Sequence, residues 1–300
     1  MNALDTLTQA IIAAHPQLAL PALDDSEIQF SSDSLVYRAA KQAARALGFI
    51  EPDAQCVAQA WHAVAERTGE VNPSHWPDSA VDFGLRPWPR QEAFAPCPHR
   101  LGLYAVLPSA AWVGRMARAG VTTVQLRFKS EDPAEVQREV DAAVEAVKGT
   151  DALLFINDHW QAAIKAGAYG VHLGQEDMDI SDLSAIKAAG LRLGLSSHGY
   201  AEMLRADQVS PSYIAMGAVY ATTLKRMITP PQGTGRLHVY ARLMRNYPLV
   251  AIGGIDPNRM ADVLASGVGS VAVVRALVAA EHPEQVANDL QKLINATRAG

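Results

Sequence analysis

The sequence has little of several features that mark other classes of protein. Its 300 residues include only two cysteines, Cys56 and Cys97, and these are not in a C-x-x-C spacing. We therefore expect neither a disulfide framework nor a structural zinc site. A reducing cytoplasm fits this cysteine content. Lysine and arginine number 26 against 31 aspartates and glutamates, and no basic block alternates with aromatic residues. We expect no nucleic acid as a partner.

Long hydrophobic runs are also missing. The segment from Met1 to Ala22 has apolar residues but no basic stretch followed by a continuous apolar core, so it does not resemble a secretory signal. No apolar run reaches the roughly 18 to 20 residues that cross a bilayer as a helix. We expect a cytoplasmic protein that does not bind membranes. With 49% hydrophobic residues the chain can bury a sizeable core, in one domain or in two unequal ones.

The pattern along the chain divides it into three parts. Residues 1–75 have helical periods and few strand signals, so we expect a helical N-terminal extension. Residues 76–98 contain five prolines and two tryptophans that break any regular period, which is typical of a linker or an irregular cover. Residues 99–300 alternate short β-rich runs with helical stretches, the pattern of a parallel sheet with helical crossovers. The helices predicted in the extension are Ala3 to Ala14, Ser34 to Leu47 and, after a break at Glu51-Pro52, Ala54 to Glu66.

The third part contains eight strand-helix repeats. The predicted strands are Leu101 to Val106, Thr122 to Arg127, Ala152 to Ile156, Gly170 to Leu173, Arg192 to Ser196, Tyr213 to Met216, Leu249 to Ile252 and Ser270 to Val274. Eight units in about 200 residues predict a compact (β/α)8 TIM barrel. A doubly wound open sheet is the alternative, but the first strand-to-helix turn, Leu107 to Ala110, lacks the glycine-rich dinucleotide fingerprint.

Polar residues at the strand ends are the first candidates for a functional site, because the carboxyl ends of barrel strands form the active face. Alternation along the second strand places Gln125 and Arg127 opposite Val124 and Leu126, and so aims them at the barrel mouth. Lys129 follows them. The alternative is that Arg127 and Lys129 are solvated surface charges.

The third and fourth strands end in acidic and amide residues. Asn157 and Asp158 follow the third strand, and Asp177 follows the fourth. Two carboxylates on neighbouring loops meet the needs of a Mg²⁺ site whose shell is completed by substrate phosphates and water. Each aspartate could instead be a helix N-cap, and Glu176 could take the place of Asp177. His172 could contact substrate or serve packing.

Small and hydroxyl-bearing residues follow the fifth and sixth strands. Ser196 ends the fifth strand, and the sixth leads through Thr222, Thr223 and Lys225 into a loop that continues to Gly235. That loop is long enough to act as a lid.

Glycines and a cation follow the last two strands. Gly253 and Gly254 end the seventh strand, and Arg275 follows the eighth at a predicted helix start. Backbone N–H groups there form a common phosphate site of this fold, and Arg275 would add a bidentate cation.

Together these motifs resemble the thiamine phosphate synthase family, over Leu101 to about Leu277. The matched runs are L-Y-A-V, Q-L-R-F-K, I-N-D, G-V-H-L-G-Q-E-D, G-L-S-S-H, T-T-L-K, A-I-G-G-I and V-A-V-V. The resemblance implies a transferase of thiamine biosynthesis that joins hydroxymethylpyrimidine diphosphate to a thiazole phosphate, or its carboxylate, with Mg²⁺ and releases pyrophosphate. No protein nucleophile is implied, and no Ser/His/Asp or Cys/His arrangement contradicts this.

The resemblance also implies a role for individual residues. It implies that Arg127, Lys129, Ser196 and Lys225 bind the diphosphate, with Gln125, Asn157, Thr222 and Thr223 also contacting substrate. The implied metal ligands are Asp158 and Asp177. The implied thiazole phosphate site is Gly253 or Gly254, with Arg275.

Two positions depart from the family pattern. The run T-x-T-K reads Thr222-Thr223-Leu224-Lys225, so Leu224 replaces a hydroxyl; losing a hydrogen bond to charged substrate could cost about 1.5 to 3 kcal/mol unless Thr223 replaces it. A serine is common where Arg275 stands, and arginine is itself a good phosphate ligand.

Two other functions remain open at this stage. One is a thiazole tautomerase-like relative, although that chemistry needs neither a diphosphate clamp nor a metal. The other is a non-catalytic module that binds thiazole phosphate, with Leu224 as the lesion; Leu224→Thr would separate a decayed enzyme from an intact variant by its gain in rate.

The N-terminal residues lie outside the resemblance. Their segment Ala39 to Ala65 faintly resembles the end of a hydroxymethylpyrimidine phosphate kinase but carries no kinase motif, so a helical cover or subunit interface is the favoured interpretation. A homo-oligomer is expected from frequency alone.

Overall fold

The computed structural model describes residues 2–21, 27–88, 90–222 and 229–297. Its centre is a closed barrel of eight parallel strands, each hydrogen-bonded to the next in chain order, with β8 closing on β1. The strands are β1 Gly102–Leu107, β2 Thr123–Leu126, β3 Leu153–Asn157, β4 Gly170–Leu173, β5 Arg192–Ser197, β6 Tyr213–Met216, β7 Leu249–Ala251 and β8 Ser270–Val273. The predicted (β/α)8 barrel is confirmed, and the alternative of a doubly wound sheet is wrong.

Helices precede the barrel and follow its strands. The helices are α1 Ala3–Ala14, α2 Leu35–Ala46, α3 Glu51–Thr68, α4 Ala110–Arg118, α5 Pro133–Ala146, α6 Trp160–Ala166, α7 Gln175–Ile180, α8 Leu183–Ala188, α9 Tyr200–Val209, α10 Gly233–Leu243, α11 Met260–Leu264, α12 Arg275–Val278 and α13 Pro283–Ala296. Single 3₁₀ turns occur at Pro16–Leu18 and Pro257–Arg259. None of the described helices has the length and apolar character needed to cross a membrane.

Alternation along the strands divides their side chains between two apolar layers. Tyr104, Phe155 and Tyr213 point into the barrel, where they form an interior cluster. Val124 and Leu126 face outward and join the larger core between strands and helices. The polar residues Gln125 and Asn157 share the inward face, so they are carried toward the barrel mouth.

The break predicted at Glu51-Pro52 is wrong. Helix α3 begins at Glu51 and has Pro52 in its first turn. Proline is tolerated there because the N–H groups of the first turn have no partner within the helix. The proline therefore begins a helix, and α2 ends before it at Ala46.

Residues 76–98 are fixed to the barrel by specific contacts. Trp76 Nε1 donates a 2.9 Å hydrogen bond to the hydroxyl of Tyr200, at the start of α9. Arg90 forms a 2.6 Å ion pair with Asp207, near the end of the same helix, and both side chains are buried. These contacts favour an irregular cover over a loose linker. Both cysteines are free thiols.

Candidate active site

A cavity of about 800 Å³ opens at the carboxyl ends of the strands. Within the described part of the chain it collects all the candidate site residues, which come from seven different strand ends or the loops after them. They are Gln125, Arg127, Lys129, Asn157, Asp158, Asp177, Ser196, Thr222, Gly253, Gly254 and Arg275. The remaining candidates, Thr223 and Lys225, lie outside the described residues, as does Leu224.

Strand β2 presents its polar residues in the predicted order. Gln125 is almost fully buried beneath the cavity, Arg127 is half-buried and Lys129 is exposed at the rim. All three line the cavity, which therefore carries the positive charges of Arg127 and Lys129. Two cations in one wall favour an anionic ligand there.

Five polar side chains form a continuous hydrogen-bonded chain through the barrel. Gln125 Nε2 donates to the hydroxyl of Tyr104 at 3.3 Å, and the hydroxyls of Tyr104 and Tyr213 are 2.7 Å apart. The Tyr213 hydroxyl lies 2.7 Å from His172 Nδ1, and His172 Nε2 lies 2.9 Å from Ser196 Oγ. We call these residues the barrel chain.

Donation can run through the barrel chain in one direction, starting from Gln125 Nε2. If each group donates to the next from Gln125 onward, His172 carries its proton on Nε2 and donates it to Ser196. The Ser196 hydroxyl then has its own hydrogen free for an acceptor in the cavity. Burial raises the pKa of both tyrosines well above the ordinary value, which keeps them neutral donors.

Asp158 is held in an unusual backbone conformation at the end of β3. Its φ is +63°, in the left-handed region that few residues other than glycine, asparagine and aspartate adopt. Its N–H donates to the carbonyl of His172 at 3.0 Å, which ties the loop after β3 to strand β4. Such strain persists only where the surrounding structure imposes it, and it is common at functional sites.

The carboxylates of Asp158 and Asp177 act on each other. Burial is the main cause that raises the pKa of Asp158, and the neighbouring Asp177 raises it further, while Lys129 opposes both. Two carboxylates held together in this way fit a divalent cation, whose charge would offset their repulsion. No cluster of three or more acidic, histidine or cysteine ligands occurs among the described residues. The pair therefore fits a hard cation that draws its other ligands from substrate and water.

The alternative N-cap roles differ between the two aspartates. Helix α6 has His159 as its N-cap residue, with no side-chain capping hydrogen bond, so Asp158 does not cap it. Asp177 does accept a hydrogen bond from the Gly174 N–H, at 3.1 Å, through Oδ2. Asp177 thus stabilises the start of α7 while it lines the cavity.

On the cavity wall opposite Asp158 and Asp177, the backbone conformation at positions 253 and 254 requires glycine. Their φ values are +107° and +62°, and a Cβ on Gly253 would lie 2.6 Å from the Cα of Ala218. The loop after β6 packs directly on this turn, because Val219 and Tyr220 donate to the carbonyls of Ile252 and Gly253, each at 2.9 Å. Helix α12, which starts at the neighbouring Arg275, is only four residues long.

The sequence did not reveal several residues of the site. Arg259 lines the cavity, donates to the Gly254 carbonyl at 2.6 Å and lies over the ring of Tyr220. The sequence signal for Arg259 as a site residue was its position in the first turn after Gly253 and Gly254. Tyr104 and Tyr213 were recognisable only as inward positions of their strands.

His198 lies on the β5 side of the cavity. Its Nδ1 is 2.6 Å from Glu202 Oε2, which also accepts the His198 backbone N–H at 2.8 Å. The Glu202 carboxylate thereby fixes the turn that leads from β5 into α9.

Comparison with known proteins identifies the family. The sequence model of the family described as thiamine monophosphate synthase matches residues 103–277. The chain belongs to that family. The thiamine-phosphate synthase of Neisseria gonorrhoeae is 56% identical over 200 residues, which cover 67% of this chain and 98% of the relative. That of Proteus mirabilis is 48% identical over 202 residues, covering 67% of this chain and 94% of the relative.

A solved structure agrees with the assignment to the thiamine monophosphate synthase family. The thiamine phosphate pyrophosphorylase from Pyrococcus furiosus superimposes with a TM-score of 0.59 at 27% identity, covering 66% of this chain and 96% of that one. The expectation of a transferase of thiamine biosynthesis is confirmed by the family. About a third of this chain has no counterpart in these relatives, and the family match begins at residue 103, after the N-terminal helices.

Proposed function

We propose that the protein joins hydroxymethylpyrimidine diphosphate to a thiazole phosphate, or its carboxylate, forming thiamine phosphate and releasing pyrophosphate. The observation that carries the proposal is the arrangement of one cavity with two anion-binding walls. Arg127, Lys129 and the aspartate pair belong to β2–β4, whereas the glycine pair and Arg275 belong to β7 and β8. In an eight-stranded ring β3 and β4 lie opposite β7 and β8, so two phosphate-bearing substrates can enter together.

The space between the walls suits two heteroaromatic rings. Val106, Ala215, Ile252 and Ala272 give it an apolar lining beneath the polar rim. Rings bound there would leave their diphosphate and phosphate groups directed at opposite walls. Holding two reactants in this way lowers the entropic barrier to their reaction.

The proposed reaction breaks the C–O bond between the pyrimidine methylene and the diphosphate, whose oxygen leaves with the electron pair. The thiazole nitrogen then donates its lone pair to the methylene carbon and forms the new C–N bond. Arg127 and Lys129 would bind the departing diphosphate, and the Ser196 hydroxyl, oriented by His172, would donate to one of its oxygens. No protein nucleophile is needed, and thiol ionisation is disfavoured because burial raises the pKa of Cys56 and Cys97 to about 12.

We further propose that Mg²⁺ is held by Asp158 and Asp177. When bound, it would supply positive charge to the diphosphate leaving group. The half-buried carboxylate pair supports this assignment, since its donor set is that of a hard cation that keeps water or phosphate ligands.

The proposal is tested by mixing the purified protein with both substrates and Mg²⁺ and measuring thiamine phosphate and pyrophosphate together. We expect equal amounts of the two products, and neither product when one substrate is omitted. Pyrophosphate release without thiazole phosphate would instead indicate a hydrolase. Binding of thiazole phosphate with no product would support a non-catalytic binding module.

A further inference from the structure

The N-terminal extension (residues 1–75) packs on the two barrel helices that follow the loops beside the cavity. Phe49 stacks on Trp76 and contacts Tyr200, the first residue of α9, with ring centroids 5.7 and 6.0 Å apart. Helix α9 follows the cavity-lining residues 196–198, and α10 follows the loop after β6. The extension therefore contacts the helices at which the turn after β5 and the loop after β6 end.

Asp53 of α3 caps helix α9 from outside the barrel. Its Oδ1 accepts the Ala201 N–H at 2.8 Å, and it is 3% exposed. The N-cap residue of α9 is Gly199, which has no side chain to cap the helix. A Cβ at Gly199 would collide with Asp53 Oδ2, so the carboxylate occupies the place that a capping side chain would take. The α9 helix thus depends on a residue of the extension for its first turn.

Arg236 of α10 makes a second connection. Its guanidinium donates to the carbonyls of Leu18 and Leu47, at 3.0 and 2.8 Å, and lies 3.7 Å above the ring of Phe49. It also donates to Gln232 Oε1 at 3.1 Å, and it is 2% exposed. Two backbone carbonyls of the extension therefore hold the first turn of α10.

Gln232 connects Arg236 to a residue of the cavity wall. Its N–H donates to the carbonyl of Ala218 at 2.8 Å, and Ala218 lines the cavity. Ser197, His198, Gly217 and Gln232 also surround one small void, so the two anchored loop ends adjoin each other. Contacts from the extension thus converge on one side of the substrate cavity.

We propose that the extension is a positioning part of the active site, in which Asp53 and the carbonyls of Leu18 and Leu47 fix the turn after Ser196 and Ser197, which carries His198, and the loop that carries Ala218. Asp53 is a positioning residue, since it acts through the start of α9 and does not line the cavity. The Neisseria gonorrhoeae relative aligns over 98% of its length with 67% of this chain. About a third of this chain therefore has no counterpart in that relative. The extension thus supports the turn after β5 and the loop after β6 from outside the barrel, an inference that rests on the proposed function.

The test compares Asp53→Ala with Asp53→Asn and with a matched control, Asp82→Ala. The asparagine in Asp53→Asn keeps an acceptor for the Ala201 N–H. Asp82 is a buried carboxylate outside the cavity lining that pairs with Arg67 at 2.7 Å, so its removal measures the effect of losing a buried ion pair away from the start of α10 and from Ala201. We expect Asp53→Ala to raise KM for the pyrimidine diphosphate about tenfold with little change in kcat, Asp53→Asn to restore most of the affinity, and Asp82→Ala to leave KM unchanged.

A second variant and a second readout keep the test decisive. Arg236→Lys retains the charge but cannot reach both carbonyls, so it is expected to raise KM even if Asp53→Ala fails to fold, in this case for the thiazole phosphate, because Ala218 packs on Gly253. Amide hydrogen exchange in Asp53→Ala should quicken in residues 199–203 and 232–237 and stay unchanged in α5.

Two results would overturn the proposal. The first is an unchanged KM in Asp53→Ala or, if that variant does not fold, in Arg236→Lys. The second is a rise of KM in Asp82→Ala equal to the rise in Asp53→Ala. A wild-type protein that releases no pyrophosphate would refute the proposed function instead, and the exchange pattern would then decide alone whether Asp53 fixes the two loops.

Discussion

Asp158 combines a left-handed backbone with a carboxylate that faces Asp177. Burial and the neighbouring charge both disfavour its ionised form and raise its pKa, so ionising this carboxylate costs the folded protein stability. A residue kept at such a position serves ligand binding at the expense of stability. The same account applies to the buried barrel chain, whose polar groups occupy a core that apolar side chains would fill.

The first prediction concerns Asp158→Asn. Asparagine tolerates the same backbone conformation, so the substitution removes charge and leaves the loop in place. We expect the free energy of unfolding, measured in urea, to rise while kcat/KM falls at least about a hundredfold. Asp151→Asn, at an exposed position before β3, is the control and should change neither quantity. A destabilised Asp158→Asn protein would show that the carboxylate serves the fold.

The second prediction concerns Tyr213→Phe. Removing this hydroxyl takes away the acceptor of the Tyr104 hydroxyl and the donor to His172 Nδ1, although Gln125 still donates to Tyr104. We expect about 1 to 3 kcal/mol of lost stability and a fall in kcat/KM of about tenfold, because His172 no longer holds one tautomer against Ser196.

The control for Tyr213→Phe is Tyr169→Phe. Tyr169 packs its ring on Phe155 at the other end of the barrel, next to the first residue of β4. Unfolding and steady-state rates measured on both variants separate the barrel chain from general packing. Equal losses of activity in the two would refute the proposed orientation of Ser196.

At the scale of elements, the turn after β7 and the loop after β6 form one unit. A third prediction compares Gly253→Ala with Gly267→Ala. Both glycines have positive φ, but a methyl group on Gly267 would meet no atom within 4 Å, whereas one on Gly253 would collide with Ala218. Gly267→Ala should therefore cost about 1 kcal/mol in unfolding free energy, and Gly253→Ala clearly more. Titration with thiazole phosphate should show loss of affinity only in Gly253→Ala, and similar costs for both would contradict the account.

The sequence predicted elements better than contacts between them. All eight strands were predictable because β-branched runs and glycine or proline boundaries are local signals. The site residues on strand ends followed from alternation and barrel order, as with Gln125 and Arg127. The start of α3 was missed because Pro52 both ends and begins helices.

Long-range contacts carry no local signal. The pairing of Tyr104 with Tyr213 joins residues 109 positions apart, and the capping of Ala201 by Asp53 joins residues 148 apart. Nothing in the sequence near Asp53 distinguishes it from an exposed acidic residue in the first turn of a helix. Such contacts follow only from the way the extension packs on the barrel.

At the scale of the whole molecule, Asp53 makes stability depend on pH. Burial raises the pKa of Asp53 to about 6 and Glu202 adds to this, while the Ala201 hydrogen bond and Arg236 oppose it. Between pH 3.8 and about 6 the folded protein therefore binds a proton that the unfolded chain has lost. The free energy of unfolding should fall as pH rises through this window, by up to about 3 kcal/mol, and level off above it.

Urea unfolding of the wild type and Asp53→Asn at several pH values measures this contribution, since the other titrating groups that face Asp53, including Tyr200 and Tyr240, are common to both. The stability difference between them should shift in favour of Asp53→Asn as the pH rises from about 4 to 6. A difference that does not change with pH would show that Asp53 keeps an ordinary pKa in the folded protein.

The central claim is that the aspartate pair and the cations of β2 release a diphosphate leaving group with the help of a divalent cation. Its most direct test is the rate of pyrophosphate release from both substrates in Mg²⁺, after EDTA, and after Mg²⁺ is restored in excess. The account predicts release that stops with EDTA and returns with Mg²⁺, and in Asp158→Asn little release at any Mg²⁺ concentration. Release that continues at full rate in EDTA would contradict it.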